Sequence, residues 1–386
     1  MTFSAQDERY MREALELARH GTALASPGAR VGAVVVDAQG NVADRGYYIY
    51  DDLKHAEVVA LEQAGQKARG ATIYLTLEPH CHQSRTPPCT DAIIAAGARR
   101  VVAAMADPNP KVAGRGFAQL RAAGLVVETG LCEAEARRIN EAFAKYVLTR
   151  LPLVTLKAGL TLDAKIAGPN GASINSQPQD RWVTSEASRT HAQELRHESD
   201  AIMVGVGTII ADDPLLTDRT GLPRRRPLLR VVLDSRLRLP LESRLVKTAK
   251  DDVLVFCSFA EEKKKRELEQ HGVRVEQVQL GSSDGRPDLK TIAERLGALE
   301  ITSLLVEGGA LVNWAALAAG IVDKVFLYYA PKILAGAGSV PFAGGEGFRG
   351  LSEAAQVKNI TLHRFGEDFA VEGYLRDPYA EAVLSS

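Results

Sequence analysis

The sequence predicts two successive α/β domains, and three observations carry that prediction. At 386 residues the chain is too long for one ordinary core, since domains average roughly 150 residues. Short apolar runs with strand character alternate along it with segments whose apolar residues recur at helical spacing. A helical stretch, Glu133 to Val147, ends just before Leu148 to Pro152, and a new strand, Leu153 to Leu156, starts after the proline. The expected domains are therefore 1–148 and 149–386.

In the first domain Tyr10, Ala14, Leu17 and Ala18 share one helical face. Val31 to Val36 reads as a buried strand, and Asp37-Ala38-Gln39-Gly40 after it as a hairpin turn. His55 to Ala64 reads as a helix, Thr72 to Leu77 as a strand, Thr90 to Ala96 as a helix and Arg100 to Met105 as a strand. The irregular, proline-bearing segment Glu78 to Pro88 follows a strand's carboxyl end, where open sheets place ligands. The second domain offers strands at Ala201 to Val206, Leu229 to Leu233, Val253 to Cys257, Val273 to Val278, Ser303 to Val306 and Lys324 to Tyr329. Helices such as Ser185 to His197 and Ala310 to Ala319 alternate with them, which argues for a mainly parallel sheet. The charged stretch Glu261 to Gln270 and the cluster Arg224-Arg225-Arg226 read as solvated surface.

Composition narrows the function classes. With 46% hydrophobic residues, 25% charged and a formal net charge of -1, the chain has no field to recruit nucleic acid or an anionic membrane. Met1 to Gly21 lacks the basic-then-apolar order of a secretory signal, and no run is apolar enough to span a membrane, so the expected compartment is the cytoplasm. Four cysteines, Cys81, Cys89, Cys132 and Cys257, are too few for a disulfide framework.

Chemistry is written most densely between residues 55 and 89. His55-Ala56-Glu57 opens one helix, Glu78-Pro79-His80-Cys81 follows, and Cys89 opens another helix. Singly, His55 is as ordinary as a helix cap and Cys89 as a small buried apolar residue. Together they have the layout of a zinc deaminase: two helix starts face each other, one offering imidazole and the other a sulfur that the helix dipole helps to deprotonate. Three protein ligands leave a position for water, whose pKa zinc lowers to about 7. Glu57 is the candidate for moving protons between that water, a ring nitrogen and the departing ammonia.

HAEVVAL, TLEPHCHQSRTPPCTDAI and AMADPNPKVAGRG resemble the deaminase half of the bifunctional riboflavin-biosynthesis deaminase/reductase family. The resemblance continues through LKAGLTLDAKIA, RWVTSEASR, LRHESDAIMVGVGTIIADDPLLTDR, VVLDS and LLVEGGALVNWAAL, which are similar to the family's reductase half. It implies a cytidine-deaminase-like α/β/α domain followed by a dihydrofolate-reductase-like α/β domain. It also implies deamination of a diaminopyrimidine ribosyl phosphate and then NADPH-dependent reduction of its side chain, with small-molecule partners and a homo-oligomer.

The zinc set the resemblance implies is His55, His80 and Cys89, with His80 where the family has cysteine; Cys81, one step later, stays open as an alternative. Three pocket departures accompany it: Gly28-Ala29 for Asn-Pro, Tyr48 for histidine, and Asp51-Asp52-Leu53-Lys54 for a glycine-bearing loop. These keep a second reading alive, a reductase with a degenerate deaminase domain. For NADPH the resemblance implies contacts at Gly159, Trp182, Thr208, Asp212, Ser235 and the run Gly309, Ala310, Leu311, Val312, Asn313, Trp314 and Ala315. For the substrate it implies Arg196, Leu216, Arg219 and Glu307. Arg196 and Arg219 suit a phosphate because planar guanidinium forks match its oxygens, with ion pairs to Glu198 or Asp218 as the plain alternative. Lys157 is a candidate for polarising the sugar and Asp212 for orienting or protonating it. Asp180 stands where the family has a substrate-touching serine.

Overall fold

A computed structural model describes residues 3–83, 85–169, 182–281 and 285–380. Asp180 lies outside them. The chain divides into two compact units, one of Met1–Thr149, Pro223–Arg226 and Tyr379–Ser386 and the other of Arg150–Leu222 and Pro227–Pro378.

The first unit runs α1 (Ala5–His20), β1 (Gly32–Val36), β2 (Val42–Tyr47), α2 (Ala56–Ala64), β3 (Thr72–Leu75), α3 (Cys89–Ala95), β4 (Arg100–Ala103), α4 (Arg115–Ala122), β5 (Val126–Thr129), α5 (Glu133–Ile139) and α6 (Glu141–Thr149). Its sheet has the order β2-β1-β3-β4-β5; β1 is antiparallel to both neighbours and β3, β4 and β5 are parallel. β1 is the buried run Gly-Ala-Val-Val-Val, and the sheet has a packed core on each face. α1 starts on a capping box in which Ser4 and Asp7 exchange hydrogen bonds, and Asp7 also accepts from Tyr74 of β3 and Arg100 of β4.

Gly46 lets α2 lie hard against β2: a Cβ there would sit 2.2 Å from the Ala56 carbonyl oxygen. That close approach fixes the start of α2, where His55 stands. The expected helix from Glu133 to Val147 is instead two helices. Asn140, almost wholly buried, interrupts it because its side chain accepts from Arg30 N at 2.8 Å and donates to Arg30 O at 3.0 Å. The arginine cluster expected on solvated surface is also corrected. Arg225 is half-buried, with Nε 2.9 Å from Asp51 Oδ1 and its guanidinium over the Tyr50 ring at 4.1 Å.

The second unit contains β6 (Leu153–Thr161), β7 (Lys165–Ala167), α7 (Glu186–Glu198), β8 (Ala201–Gly205), α8 (Val206–Asp212), β9 (Leu229–Leu233), α9 (Arg244–Lys247), β10 (Val253–Cys257), α10 (Glu262–Gln270), β11 (Val273–Gln277), α11 (Leu289–Ala298), β12 (Ser303–Val306), α12 (Ala310–Ala318), β13 (Lys324–Ala330), β14 (Val340–Pro341), β15 (Lys358–Phe365) and β16 (Asp368–Tyr374). A nine-stranded sheet has the order β11-β10-β9-β8-β12-β6-β13-β16-β15, parallel from β11 through β13 and antiparallel at β16 and β15. The central parallel strands β8, β10 and β12 are apolar nearly throughout, as burial on both faces demands, whereas the edge strand β11 alternates buried Val273 and Val275 with polar residues. Among the described residues no helix is long and apolar enough to cross a membrane.

Candidate functional site

In the first unit His55 occupies the N-cap of α2 but makes no capping bond with its side chain. Its imidazole instead faces Cys89, with Nδ1 2.9 Å from Sγ, while Thr86 Oγ1 lies 3.4 Å from Nε2 and Tyr48 meets the ring edge-on. Cys89 is brought there by its own helix start: the His80 carbonyl accepts from Cys89 N at 2.8 Å and Thr90 N at 3.2 Å, folding the loop back on α3. The same turn delivers the His80 ring. The donor atoms of His55, His80 and Cys89 all lie within 4.8 Å of one another. His80, and not Cys81, closes this group among the described residues.

The electrostatics suit a cation. Burial and the neighbouring His55 and His82 lower the His80 pKa to about 4, so its imidazole is neutral and able to donate a lone pair. Its Nδ1 is buried with no hydrogen-bond partner. Burial, and then the adjacent Glu57 carboxylate hydrogen-bonded to it, push the Cys89 thiol pKa up, so a thiolate at this position needs a compensating positive charge. Glu57 is itself buried.

Two supporting features escaped the sequence reading. The buried Glu78 carboxylate accepts from the backbone N–H groups of Asp107, Gly114, Gly116 and Phe117, tying the residue before the ligand loop to the segment 107–117. The departures at Gly28 and Tyr48 belong together: a Cβ on Gly28 would lie 2.8 Å from Tyr48 Cε1, so the larger ring fills space that residue 28 leaves.

In the second unit a cavity of 870 Å³ opens at the carboxyl ends of the parallel strands. Trp182, Arg196, Thr208, Asp212, Leu216, Arg219, Ser235 and Glu307 line it, as do Gly309, Ala310, Leu311, Val312 and Ala315. Asn313 and Trp314 do not. Helical periodicity turns them away: Asn313 is fully buried and donates to Phe342 O, and Trp314 packs edge-on against Phe348. Gly159 is also outside the lining, facing Thr184. At the start of α12, Gly309 keeps the floor open, since a Cβ there would meet only Thr208 Oγ1, at 4.0 Å. Leu216, on the cavity's wall, and Asp213, between the lining residues Asp212 and Pro214, hold left-handed backbone conformations with φ of 54° and 41°, a costly choice for residues with side chains.

Arg196 pairs with Glu307 rather than with Glu198. Arg196 Nε and Nη2 donate to the two oxygens of Glu307 at 2.7 and 3.0 Å, and Nη1 donates to Thr217 O. Lys157, outside the lining, reaches Glu307 Oε2 at 3.4 Å. Burial opposes charge on Glu307, but Arg196 and Lys157 outweigh it and hold its pKa down at about 2. Asp218 pairs with His197 rather than Arg219, whose side chain is exposed. Arg238, Arg244 and Arg286, none of them singled out by the sequence, also line the cavity.

The comparisons with known proteins follow this division. The family model described as the cytidine and deoxycytidylate deaminase zinc-binding region matches residues 4–105, and the RibD C-terminal domain matches residues 152–371. The riboflavin biosynthesis protein RibD of Aquifex aeolicus is 41% identical over 365 residues, covering 95% of this chain and 97% of its own. RibD of Escherichia coli K12 is 38% identical, with coverages of 94% and 98%. Among solved structures, Acinetobacter baumannii RibD superposes with a TM-score of 0.82 at 34% identity, covering 96% of this chain and 98% of its own. The Thermotoga maritima diaminohydroxyphosphoribosylaminopyrimidine deaminase/5-amino-6-(5-phosphoribosylamino)uracil reductase gives 0.81 at 34%, with the same coverages. With the deaminase region and the reductase domain matched in order on one polypeptide, the chain belongs to the RibD family of bifunctional riboflavin-biosynthesis enzymes.

Proposed function

We propose that the first unit hydrolytically deaminates 2,5-diamino-6-(5-phosphoribosylamino)pyrimidin-4-one and that the second reduces the ribosyl side chain of the product to ribityl, using NADPH. The observation that carries the reading is the convergence of His55, His80 and Cys89, with the Glu57 carboxylate against the same sulfur. Two imidazoles and a thiol suit zinc, and the orphaned, buried His80 Nδ1 is the kind of atom a metal would satisfy. Zinc held by these three residues would supply the Lewis acidity that makes water nucleophilic near neutral pH. Glu57 takes one proton of the attacking water and passes it to a ring nitrogen, then takes the remaining hydroxyl proton and passes it to the amino group, which leaves as ammonia while the ring carbon keeps the water's oxygen as a carbonyl.

The second cavity fits a dinucleotide at the Gly309 cradle, where the first turn of α12 offers its N–H groups to the pyrophosphate. NADPH bound there would supply the hydride. The ribosyl C1 accepts it as the bond from C1 to the ring oxygen breaks, and that oxygen gains a proton. We assign Lys157, held by Glu307, to polarise the oxygen, and Asp212 to orient or protonate the sugar. Arg219, exposed in the cavity wall, is assigned to the substrate's 5-phosphate, with Leu216 against the substrate. Arg196 is assigned to positioning, because Glu307 already occupies its fork. This reading takes the enzyme as a cytoplasmic homo-oligomer acting on small molecules.

A reductase with a disabled deaminase is disfavoured: Glu57 is retained beside the donor cluster, and Tyr48 fills the space beside Gly28. Separate assays of ammonia release and NADPH oxidation test the assignment. Glu57→Gln is expected to abolish ammonia release while keeping zinc and leaving reduction of the deaminated substrate intact. Asp212→Asn is expected to lower NADPH turnover with zinc content unchanged. Metal-loaded wild-type protein that releases no ammonia would overturn the deaminase half.

A further inference from the structure

The face of the second sheet that α7 covers holds a hydrogen-bonded histidine and tyrosine beside the Lys157–Glu307 pair. β13 runs parallel to β6, with Phe326 beside Lys157 and Tyr328 beside Gly159. Residues two apart on a strand share a face, so Tyr328 and Lys157 stand on the same side of the sheet. His191 of α7 places Nδ1 2.6 Å from the Tyr328 hydroxyl, and its ring lies 5.0 Å from that of Phe326 and 4.7 Å from that of Phe365. Burial lowers the His191 pKa and raises that of Tyr328, so a neutral imidazole accepts from an un-ionised phenol. Tyr328 is 1% exposed; with its hydroxyl tied and Phe326 and Phe365 packed round it, its orientation is fixed.

The Lys157 ammonium lies over that ring, with Nζ 5.8 Å from its centroid. An aromatic face attracts a cation at this range, more strongly where water is scarce, and the lysine side chain is only 18% exposed. Among the described residues Glu307 is the one hydrogen-bond acceptor of Lys157, at 3.4 Å, and it already takes two bonds from Arg196. A single long bond leaves a four-carbon stem several rotamers. Held by both a carboxylate and a fixed ring, the ammonium is confined and keeps an N–H for a ligand oxygen. α7 sets both neighbours: His191 fixes Tyr328, and Arg196, on the same helix, fixes Glu307.

Resting on the reading of Lys157 as the group that polarises the ribosyl oxygen, we propose that Tyr328 is a positioning residue for the reduction: pinned by His191, its ring holds the Lys157 ammonium in reach of that oxygen. Steady-state reduction of the deaminated substrate by the full-length, zinc-loaded protein tests this, with kcat and the KM for NADPH read separately. Tyr328→Leu is expected to lower kcat about tenfold and to leave that KM near wild type. Tyr328→Phe, which keeps the ring, is expected to lose only about two- to threefold. In a Lys157→Met background, itself at least about tenfold slower, Tyr328→Leu is expected to change kcat by less than about twofold, because the ring then has no cation to hold. Equal losses for the leucine and phenylalanine variants, a loss that falls on the KM instead, or the full loss repeated in the Lys157→Met background would overturn the proposal while leaving Lys157 its role. Lys157→Met with wild-type kcat would overturn both. His191, only half-buried, tests the pin without opening the core. His191→Leu should lose as much as Tyr328→Phe, and the two together no more than either; additive losses would overturn the pin.

Discussion

Glu307→Gln keeps the size of the side chain and removes its charge from between two cations. The native carboxylate accepts at 2.7 and 3.0 Å from Arg196 and at 3.4 Å from Lys157. A glutamine offers one carbonyl oxygen to these donors, and its NH₂ group must face one of the cations, donor against donor. Breaking a buried ion pair by removing one partner costs about 3–5 kcal/mol. The three side chains are 12–18% exposed, so some water reaches them and the lower figure, about 3 kcal/mol, applies. The effect has a pH signature. The carboxyl is depressed from 4.5 to about 2, so its stabilising contribution is complete above about pH 4.5 and disappears as pH falls toward 2. Wild type and variant should therefore differ most near neutrality and converge in acid. Both tryptophans, Trp182 and Trp314, belong to the second unit, so urea unfolding followed by their fluorescence reports on that unit alone. A difference below about 1 kcal/mol near pH 7, or one that stays constant down to pH 3, would refute the reasoning.

Three other outcomes are expected. His80→Ala should weaken zinc retention at least about 100-fold in competition with a chelator, beyond what loss of an outer partner costs, whereas Cys81→Ser should leave it near wild type. Equal retention by the two variants would remove His80 from the metal site. Glu78→Gln should cost about 3 kcal/mol or more, because its amide nitrogen faces backbone donors, and hydrogen exchange across 107–117 should accelerate; unchanged protection there would contradict it. Asn140→Ala should cost about 1–3 kcal/mol by orphaning the Arg30 N–H and carbonyl, measured by urea unfolding followed through far-ultraviolet circular dichroism; a wild-type midpoint would show that α5 and α6 part for another reason.

The alternation that predicts two α/β layers is legible because parallel strands are apolar on both faces and stand out from any neighbouring segment. β15 left no such mark. It is an edge strand with Ile360 and Leu362 exposed, and its pairing with β16 is decided by backbone hydrogen bonds that any side chains allow. The break between α5 and α6 was hidden for a different reason: Arg30 lies 110 residues from Asn140, and helical periodicity is blind to such a partner. In the first site, His55 and Cys89 came to notice by standing at two helix starts, whereas His80, in the loop between them, was singled out by the family resemblance and not by spacing. The arginines of the second site could not be found that way. Arg238, Arg244 and Arg286 converge through strand order, and nothing in their local sequence separates them from solvated arginines.

The contact between Gly28 and Tyr48 constrains the order in which this pocket can change. Any side chain added at position 28 meets the Tyr48 ring, so Gly28→Asn alone is a collision. Tyr48→His alone opens a void beside the His55 ring. Each residue has become the condition for the other, and a lineage holding both can leave the pair only through a poorer intermediate. That is epistasis written in van der Waals radii: the single variants should each be less stable than the double, and additive effects on unfolding would show the two positions to be independent.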